Sequence, residues 1–496
     1  MSYRGELVRI HLRRSIADSR LALSLFFVLA ILQGSYFISA IGPLTMPDTD
    51  MNANTPYAIA TGQIFNLPHV ETDKFGNHTK VQYISGDARL LKRTGRINTL
   101  VDTVVSSPLS PSSKQEKQRV IDHEPQSTIT VPTSHIANRS NQYFPLVYLP
   151  QAAGIRIALW LNSSPYQVWQ AGRITNFIVF LTLMGLAIVI IPRAKTMVAC
   201  IAVFPMTVFI GSSLMADAFF ISISACFLAL FFRVSIRTTP ATTLQVVCLG
   251  ILSILLFYSK LVYVALAILL LALPHHVLSR KRKVITIGTC AVVALLSYGL
   301  WSSKYAGMLA ITNIENNVHW MRHNPFTLVK TITWNIIFLP TKVSSDQLLT
   351  MQATIILGLA WLYLLQTLPK HQAPAHEQLS SWVSRNRYII LSVVVFLICL
   401  YLTFTALCLT WNAMPTFDST TEIQGFQGRY ILPLLPLLVC VAFHPKRPSL
   451  RSAGAPSSPD TETQETDRRS EPAHSHKYAR KQKSGTFQFL HRKSRK

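Results

Sequence analysis

The sequence predicts an all-α polytopic membrane protein with about ten transmembrane helices and a large first external loop. Composition and the grouping of apolar residues both predict this class. Of the 496 residues, 49% are hydrophobic and only 14% are charged, whereas an ordinary soluble domain has about 25% charged residues. The composition excludes a disordered or acidic solvating chain.

Several uncharged stretches reach roughly 18 residues, the length that crosses a bilayer as a helix. They are Leu21–Gly42, Ile174–Pro192, Thr196–Ala216, Val284–Ser303, Leu348–Leu368 and Tyr388–Leu409. The interval after Lys195 contains only Asp217 as a charge before Arg233, and the interval after Arg237 contains only Lys260 before Arg280. Each interval therefore predicts a helical hairpin. The apolar segment Tyr430–Phe443, which prolines interrupt, is counted as the last span.

Charge placement sets the orientation, because short cytoplasmic loops hold an excess of Lys and Arg. With the N-terminus inside, the cytoplasmic segments hold 29 basic and 8 acidic residues, and the external segments hold 18 and 14. We therefore expect a plasma-membrane protein with both termini cytoplasmic. The first apolar stretch is longer than the core of a signal peptide, and no convincing cleavage site follows it, so we interpret it as an uncleaved signal anchor.

The parts outside the spans differ in size and composition. Residues 1–20 form a cytoplasmic N-terminus, and 43–173 form an extracytoplasmic loop whose polar part, 67–140, we interpret as a flexible insertion. Residues 174–443 form the multi-helix membrane domain. The basic tail 444–496 is expected to be disordered and cytoplasmic. It suits anionic lipid better than nucleic acid because it follows a membrane helix, and a solvated tail that only enforces orientation is the simplest interpretation.

No cofactor or metal is expected. The seven cysteines all fall within predicted spans, so no disulfide framework or CxxC metal pattern is implied. The sequence also lacks a Gly-rich phosphate loop, a G-x-S-x-G elbow and an HExxH motif.

Charged residues from distant parts of the chain are predicted to lie on the external side. They are Asp48, Asp50, Arg173, Asp217, Lys260 and Arg429. A single charge at a membrane boundary is usually a snorkelling or capping group. Converging Arg, Lys and Asp side chains suit chemistry on an anionic, lipid-linked substrate, with the cations on phosphate oxygens and a carboxylate as base.

Three segments resemble a bacterial family of predicted multi-pass membrane proteins of unknown function (domain of unknown function 2142), which resembles the GT-C glycosyltransferases. They are YFPLVYLPQAAGIRIALW (143–160), QAGRITNFIV (170–179) and QGRYILPLLPLL (427–438). In that family the first outer loop opens with Pro-Asp-Glu, followed by a His and then a Gly. Pro47-Asp48 and Gly62 match this spacing, but Thr49 and Asn52 stand where the family has Glu and His.

The resemblance implies a GT-C-like fold and a membrane glycosyltransferase that uses a polyprenyl-phosphate-linked sugar. The acceptor would be a cell-envelope glycan. Asp48, or Asp50 in place of the missing Glu, would be the catalytic base. Arg429 with Lys260 or Arg173 would bind the lipid phosphate, and Asp217 and Gln427 would be structural or adjacent to the site.

Two other functions stay open. The chain could be a transporter or flippase for a lipid-linked glycan, although it shows no internal repeat and its charges lie at span boundaries. It could also be a non-catalytic assembly subunit, which the loss of Glu and His at positions 49 and 52 favours.

The segment NPFTLVKTITWNIIF (324–338) is apolar but contains Lys330. We expect an interfacial helix with Phe326, Val329, Trp334 and Ile337 in the acyl boundary. The competing interpretation is an extra span, which would place the tail outside.

We predict that a cysteine placed at Ser112 reacts with a membrane-impermeant maleimide in intact cells, because the loop 43–173 is external. A cysteine at Ser457 in the basic tail is the matched control and should react only after lysis. Labelling of position 112 only after lysis would overturn this topology.

Overall fold

A computed structural model of the chain describes residues 2–44, 52–87, 90, 133–138, 141–307, 310–339 and 379–442. The described residues are mostly helical, and five of their helices are long and apolar enough to cross a membrane. These are Ser19–Ala40, Pro165–Ile190, Asp217–Ser235, Arg280–Lys304 and Tyr388–Thr410. Three shorter apolar segments, Thr243–Ser259, Leu261–Ala272 and Gly428–Ala442, accompany them. The predicted membrane class is therefore confirmed. The structure does not establish a count of ten spans, and the predicted span Leu348–Leu368 and the tail lie outside the described residues.

The first helix, α1 (Ser2–Ala40), packs against α4 (Pro165–Ile190), and two short helices follow, α5 (Lys195–Ala202) and α6 (Pro205–Gly211). The prediction of one continuous helix over Thr196–Ala216 is wrong. Pro205 lacks an N–H and forces the residue before it out of the helical region. The backbone therefore breaks at Val203–Phe204, where the side-chain amide of Gln33 donates to the Val203 carbonyl at 3.2 Å.

Both predicted hairpin turns are present, but one limb of each hairpin differs from a continuous α-helix. In the first hairpin that limb is the broken pair α5 and α6. Helix α7 (Asp217–Ser235) begins at the predicted turn residue. Helix α8 (Thr243–Ser259) begins at a capping box formed by Thr242 and Gln245. The chain then breaks at Lys260, whose backbone is extended, and returns as a 3₁₀ helix, Leu261–Ala272. Helix α9 (Arg280–Lys304) follows and packs along α8.

The C-terminal part contains two short helices and two apolar segments. Helices α10 (Ile314–His323) and α11 (Pro325–Ile337) precede the long α12 (Leu379–Thr410). After a loop, the chain enters the last apolar segment through short 3₁₀ turns and ends in α13 (Leu435–Ala442). Helix α11 has 13 residues, about 20 Å at 1.5 Å per residue, which is too short to cross a core of roughly 30 Å.

The segment 43–173, predicted to be an extracytoplasmic loop, has more structure in its described residues than composition predicted. Strands β1 (His69–Thr72), β2 (His78–Asp87) and β3 (Thr133–Asn138) form an antiparallel sheet, so the all-α class and the flexible insertion 67–140 both need correction there. The centre of β2 buries Gln82 and Ile84 completely. The Gln82 amide is paired with the carbonyls of Ile64 and Asn66, a kind of burial that a hydrophobicity pattern does not reveal. Helices α2 (Asn54–Ala60) and α3 (Leu149–Trp160) connect the sheet to the bundle.

Arg173 joins three helices inside the bundle, and its side chain is fully buried. The guanidinium donates to three backbone carbonyls, those of Phe37 at 3.1 Å, Ile41 at 2.7 Å and Ser212 at 2.8 Å. The Ile41 and Ser212 carbonyls lie just past the C-terminal ends of α1 and α6, where the helix supplies no further N–H to pair with them. The Phe37 carbonyl also accepts from the Ile41 N–H at 3.1 Å. The predicted role of Arg173 as a phosphate ligand does not fit these contacts, because its donors are already held by the protein backbone.

We predict that Arg173→Met lowers the free energy of unfolding by about 3 kcal/mol, because it leaves buried carbonyls without donors. The measurement is the thermal midpoint of the detergent-solubilised protein. Fluorescence-detected size-exclusion chromatography after heating gives this midpoint. Arg193→Met, at an exposed arginine, is the matched control and should leave the midpoint unchanged. Equal midpoints for Arg173→Met and wild type would contradict this role.

Candidate functional site

The cation at the second hairpin turn meets the acid at the first. Asp217 is the first residue of α7 and Lys260 follows the last residue of α8, and the Lys260 Nζ lies 2.6 Å from the Asp217 Oδ1. The carboxylate sits at a helix N-terminus, where the helix dipole favours negative charge. Both side chains are only slightly exposed, at 15% and 13%. The prediction that both charges lie in turns is therefore confirmed, and the structure shows that the two side chains form an ion pair.

Arg429 completes a three-residue ionic cluster. Its Nε lies 3.9 Å from the Asp217 Oδ2, and its Nη1 contacts the Met215 sulfur at 3.7 Å. The Lys260 Nζ also lies 4.5 Å from the centre of the Tyr430 ring and 5.3 Å from that of Phe220, the geometry of cation–π contacts. Two cations thus share one carboxylate, so the cluster has a formal net charge of about +1 at neutral pH.

A cavity of about 360 Å³ opens onto this cluster. The ends of α8, α9 and α12, the start of the 3₁₀ helix and the segment 429–430 all contribute to its wall. Part of the lining is aliphatic and comes from Leu261, Val262, Ala406 and Leu407. The aromatic part comes from Tyr143, Phe257, Tyr258, Tyr263, Tyr298, Tyr430 and Trp411. Cations, an apolar wall and aromatic rings therefore face one volume.

The segment between α1 and α4 reaches the same cavity through Asn52, Gln142 and Tyr143. The Tyr148 hydroxyl, in the YFPLVYLP segment, donates to the Asn52 Oδ1 at 2.9 Å. Burial raises the pKa of the Tyr143 hydroxyl, so this phenol stays protonated at neutral pH and can donate a hydrogen bond. Asn52 stands where the resembling family has His, and here it is fixed by a tyrosine.

Gly62 explains part of the family spacing. It follows the end of α2 with φ of +79°, and its N–H donates to the Ile59 carbonyl at 3.1 Å. Glycine adopts this left-handed conformation without the steric penalty that a Cβ adds. The glycine of the family spacing therefore stands at the turn that ends α2.

The other predicted site residues lie elsewhere. Asp48 and Asp50 lie outside the described residues. Arg173 is not among the residues that line the cavity, and neither is Gln427, whose backbone carbonyl accepts a hydrogen bond from the Tyr430 N–H at 3.0 Å. Sequence reasoning missed the aromatic lining, although Tyr143 and Tyr430 both lie in the segments that carried the resemblance. Within the described residues, no group of three or more His, Cys, Asp or Glu side chains could hold a metal ion.

We predict that Asp217→Leu lowers the free energy of unfolding by about 3 kcal/mol, because two partly buried cations lose their counter-charge. Adding Lys260→Met should restore about half of that loss, since the second change removes one unpaired charge. Thermal midpoints in detergent test both variants. Glu315→Leu, at an exposed carboxylate of α10, is the control and should have no effect. Additive losses in the double variant would show that the pair does not stabilise the fold.

Comparison with known proteins gives the family. No curated protein and no solved structure shows a significant match to the chain. Residues 29–438 match the family described as "Predicted membrane protein (DUF2142)". This match runs from within α1 into α13 and includes the cavity and its ionic cluster. The chain therefore belongs to this family of predicted membrane proteins.

Proposed function

We propose that the protein is a membrane glycosyltransferase that takes its sugar from a polyprenyl-phosphate donor and transfers it to a cell-envelope glycan. The observation that carries the proposal is the cavity in which Lys260 and Arg429 lie beside both an aliphatic and an aromatic wall. A lipid-linked sugar phosphate has three parts, an anion, an isoprenoid chain and a polar ring. Each part has a matching surface in this cavity.

The cations would stabilise the departing lipid phosphate. Asp217 now holds Lys260 at 2.6 Å and lies 3.9 Å from Arg429, so both donors are directed to one place before substrate arrives. Preorganised donors of this kind stabilise charge that develops on a leaving group. The net charge of about +1 complements a phosphodiester, which has one negative charge.

The base would come from the first external loop. Asp50 precedes the cavity residue Asn52 by two positions and Asp48 by four. Both aspartates are thus close in sequence to a residue that lines the cavity. The carboxylate would take the proton of the acceptor hydroxyl, whose oxygen forms a bond to the anomeric carbon. The bond from that carbon to the phosphate oxygen breaks, and its electron pair leaves with the phosphate.

This reaction needs the cavity on the external side. The ends of α1, α6, α9 and α12 meet the starts of α4 and α7 at one end of the bundle, through contacts such as Arg173 with Ile41 and Trp301 with Asn141. If α1 enters from the cytoplasm, as the charge distribution predicts, this end is external. We therefore also propose the plasma membrane, ten spans and cytoplasmic termini.

Complementation of a gene deletion tests the proposal, with the surface glycan and the membrane abundance of each variant as readouts. We expect Arg429→Gln to reduce transfer by about 10²–10³-fold. We expect Asp48→Asn or Asp50→Asn to reduce it by about 10²–10⁴-fold. Arg156→Gln changes an exposed arginine of α3 that does not line the cavity, and it is the matched control.

The pattern of losses separates the other functions. If Arg429→Gln removes the glycan while both aspartate variants keep it, the site binds the lipid phosphate without base catalysis, and the transporter takes the place of the enzyme. If no cavity variant changes the glycan while the deletion does, the protein is an assembly subunit.

A further inference from the structure

Helix α11 has its polar face inside and its apolar face outside. Phe326 is 83% exposed and Ile337 is 64% exposed, with Val329 and Trp334 on the same side. The buried side carries Thr331 and Asn335, both at 0% exposure. A helix at a water-facing protein surface shows the opposite arrangement. The exposed side of α11 therefore suits an apolar medium.

The position of α11 identifies that medium as lipid. Ile332 packs in one cluster with Phe404 and Leu407 of the candidate span α12, and the Thr333 hydroxyl is hydrogen-bonded to the Tyr401 hydroxyl. The exposed face of α11 thus continues the apolar surface of the last turns of that span. Trp334 and Lys330 are residue types that settle at the boundary between headgroups and acyl chains.

The buried face of α11 holds a loop of the cavity wall. The Asn335 side chain donates to the Thr421 carbonyl and accepts from the Ile423 N–H, each at 2.9 Å. The Thr331 hydroxyl donates to the Asp418 carbonyl at 2.7 Å. Side-chain amides that pair with both a carbonyl and an N–H fix a backbone segment much as a neighbouring strand does.

Helix α10 holds the other end of the same loop. The Asn317 side chain donates to the Asn412 carbonyl at 2.7 Å and accepts from the Met414 N–H at 3.0 Å. Within the loop, Asn412 donates to the Gln424 carbonyl at 3.2 Å and accepts from the Gln424 N–H at 2.9 Å. The loop 411–424 is therefore tied to both helices and to itself.

The two ends of this loop lead into the cavity. Trp411 at its start lines the cavity, and Arg429 and Tyr430 lie just after its end. Between them, Phe426 stacks on Phe404 at 4.9 Å and meets the edge of Tyr430 at 5.8 Å. A shift of the loop would therefore change the separation between Arg429 and Asp217.

We infer that α10 and α11 form a membrane-seated support for the cavity, with α11 embedded in the lipid interface and Asn317 and Asn335 acting as positioning residues for Arg429. The inference rests on the proposed function, because the predicted effect is on binding of a lipid phosphate. Neither asparagine lines the cavity, so both act through the loop.

The membrane contact is tested by fluorescence quenching of the full chain in phosphatidylcholine nanodiscs. The difference in tryptophan fluorescence between the wild type and Trp334→Phe is the emission of Trp334. Brominated phosphatidylcholine should quench this emission, and iodide should not. Trp301 is the control, because its side chain is buried at 5% exposure. Its emission, obtained in the same way from Trp301→Phe, should be quenched by neither reagent. Quenching of the Trp334 signal by iodide alone would overturn the membrane contact.

The positioning role is tested by binding of farnesyl phosphate and of farnesol, which lacks the phosphate. The wild type should bind the phosphate at least tenfold more tightly than the alcohol. Asn335→Ala should remove most of this preference while farnesol affinity stays unchanged, because only the position of Arg429 is altered. A general loss of structure would weaken both ligands equally.

The isosteric Thr331→Val removes one loop hydrogen bond and should reduce the preference by about threefold, so it keeps the test usable if Asn335→Ala fails to fold. Thr416→Ala, at an exposed loop position whose hydroxyl donates to the Ala413 carbonyl at 2.9 Å, is the matched control. If the wild type binds farnesyl phosphate no more tightly than farnesol, the proposed function itself is wrong. A wild-type preference that both Asn335→Ala and Thr331→Val retain would overturn only the positioning role.

Discussion

Every break in a helix inside an apolar bundle exposes backbone groups that water cannot reach, and this constraint shapes the whole protein. Polar side chains within the apolar segments meet it. Gln33 pairs with the Val203 carbonyl between α5 and α6, and Ser224 donates to the Pro433 carbonyl in the last segment. Tyr263 donates to the Tyr430 carbonyl at 3.0 Å, next to the ionic cluster. These three carbonyls are therefore paired where the chain turns inside the bundle, which removes the penalty of leaving them buried without a donor.

These breaks decide where the charges can lie. Lys260 occupies the junction between α8 and the 3₁₀ helix, Asp217 starts α7, and Arg429 precedes the last apolar segment. Because successive segments alternate in direction, all three positions fall at the same end of the bundle. Their charges therefore compensate one another in a partly buried cavity, where an isolated cation or carboxylate would be strongly unfavourable. The arrangement leaves one net positive charge beside aromatic and aliphatic surfaces, which suits an amphipathic anion.

Polarity is inverted on the short helix α11. Asparagines and threonines face inward and hold the loop 411–424 by its backbone, and the large apolar side chains of α11 face outward. In a soluble protein such a surface would promote aggregation, but here it lies beside the candidate span α12 and continues an exposed apolar surface. The sheet between α2 and α3 shows a related feature, since a fully buried glutamine pairs with main-chain carbonyls at its centre.

The sequence determined the membrane class, the positions of the five long apolar helices and both charged turns, because hydrophobicity and charge along one chain report directly on contact with lipid. The resemblance also marked the segments around Tyr143 and Tyr430. Pro205 also marked the break inside Thr196–Ala216 in the sequence itself. Only the tertiary structure decided that Arg173 caps helix ends and that part of 67–140 is a sheet. Only it brought Asp217, Lys260 and Arg429 to one cavity with the tyrosines. These features depend on which side chains meet across about 40 residues of sequence, and local composition contains no information on such pairing.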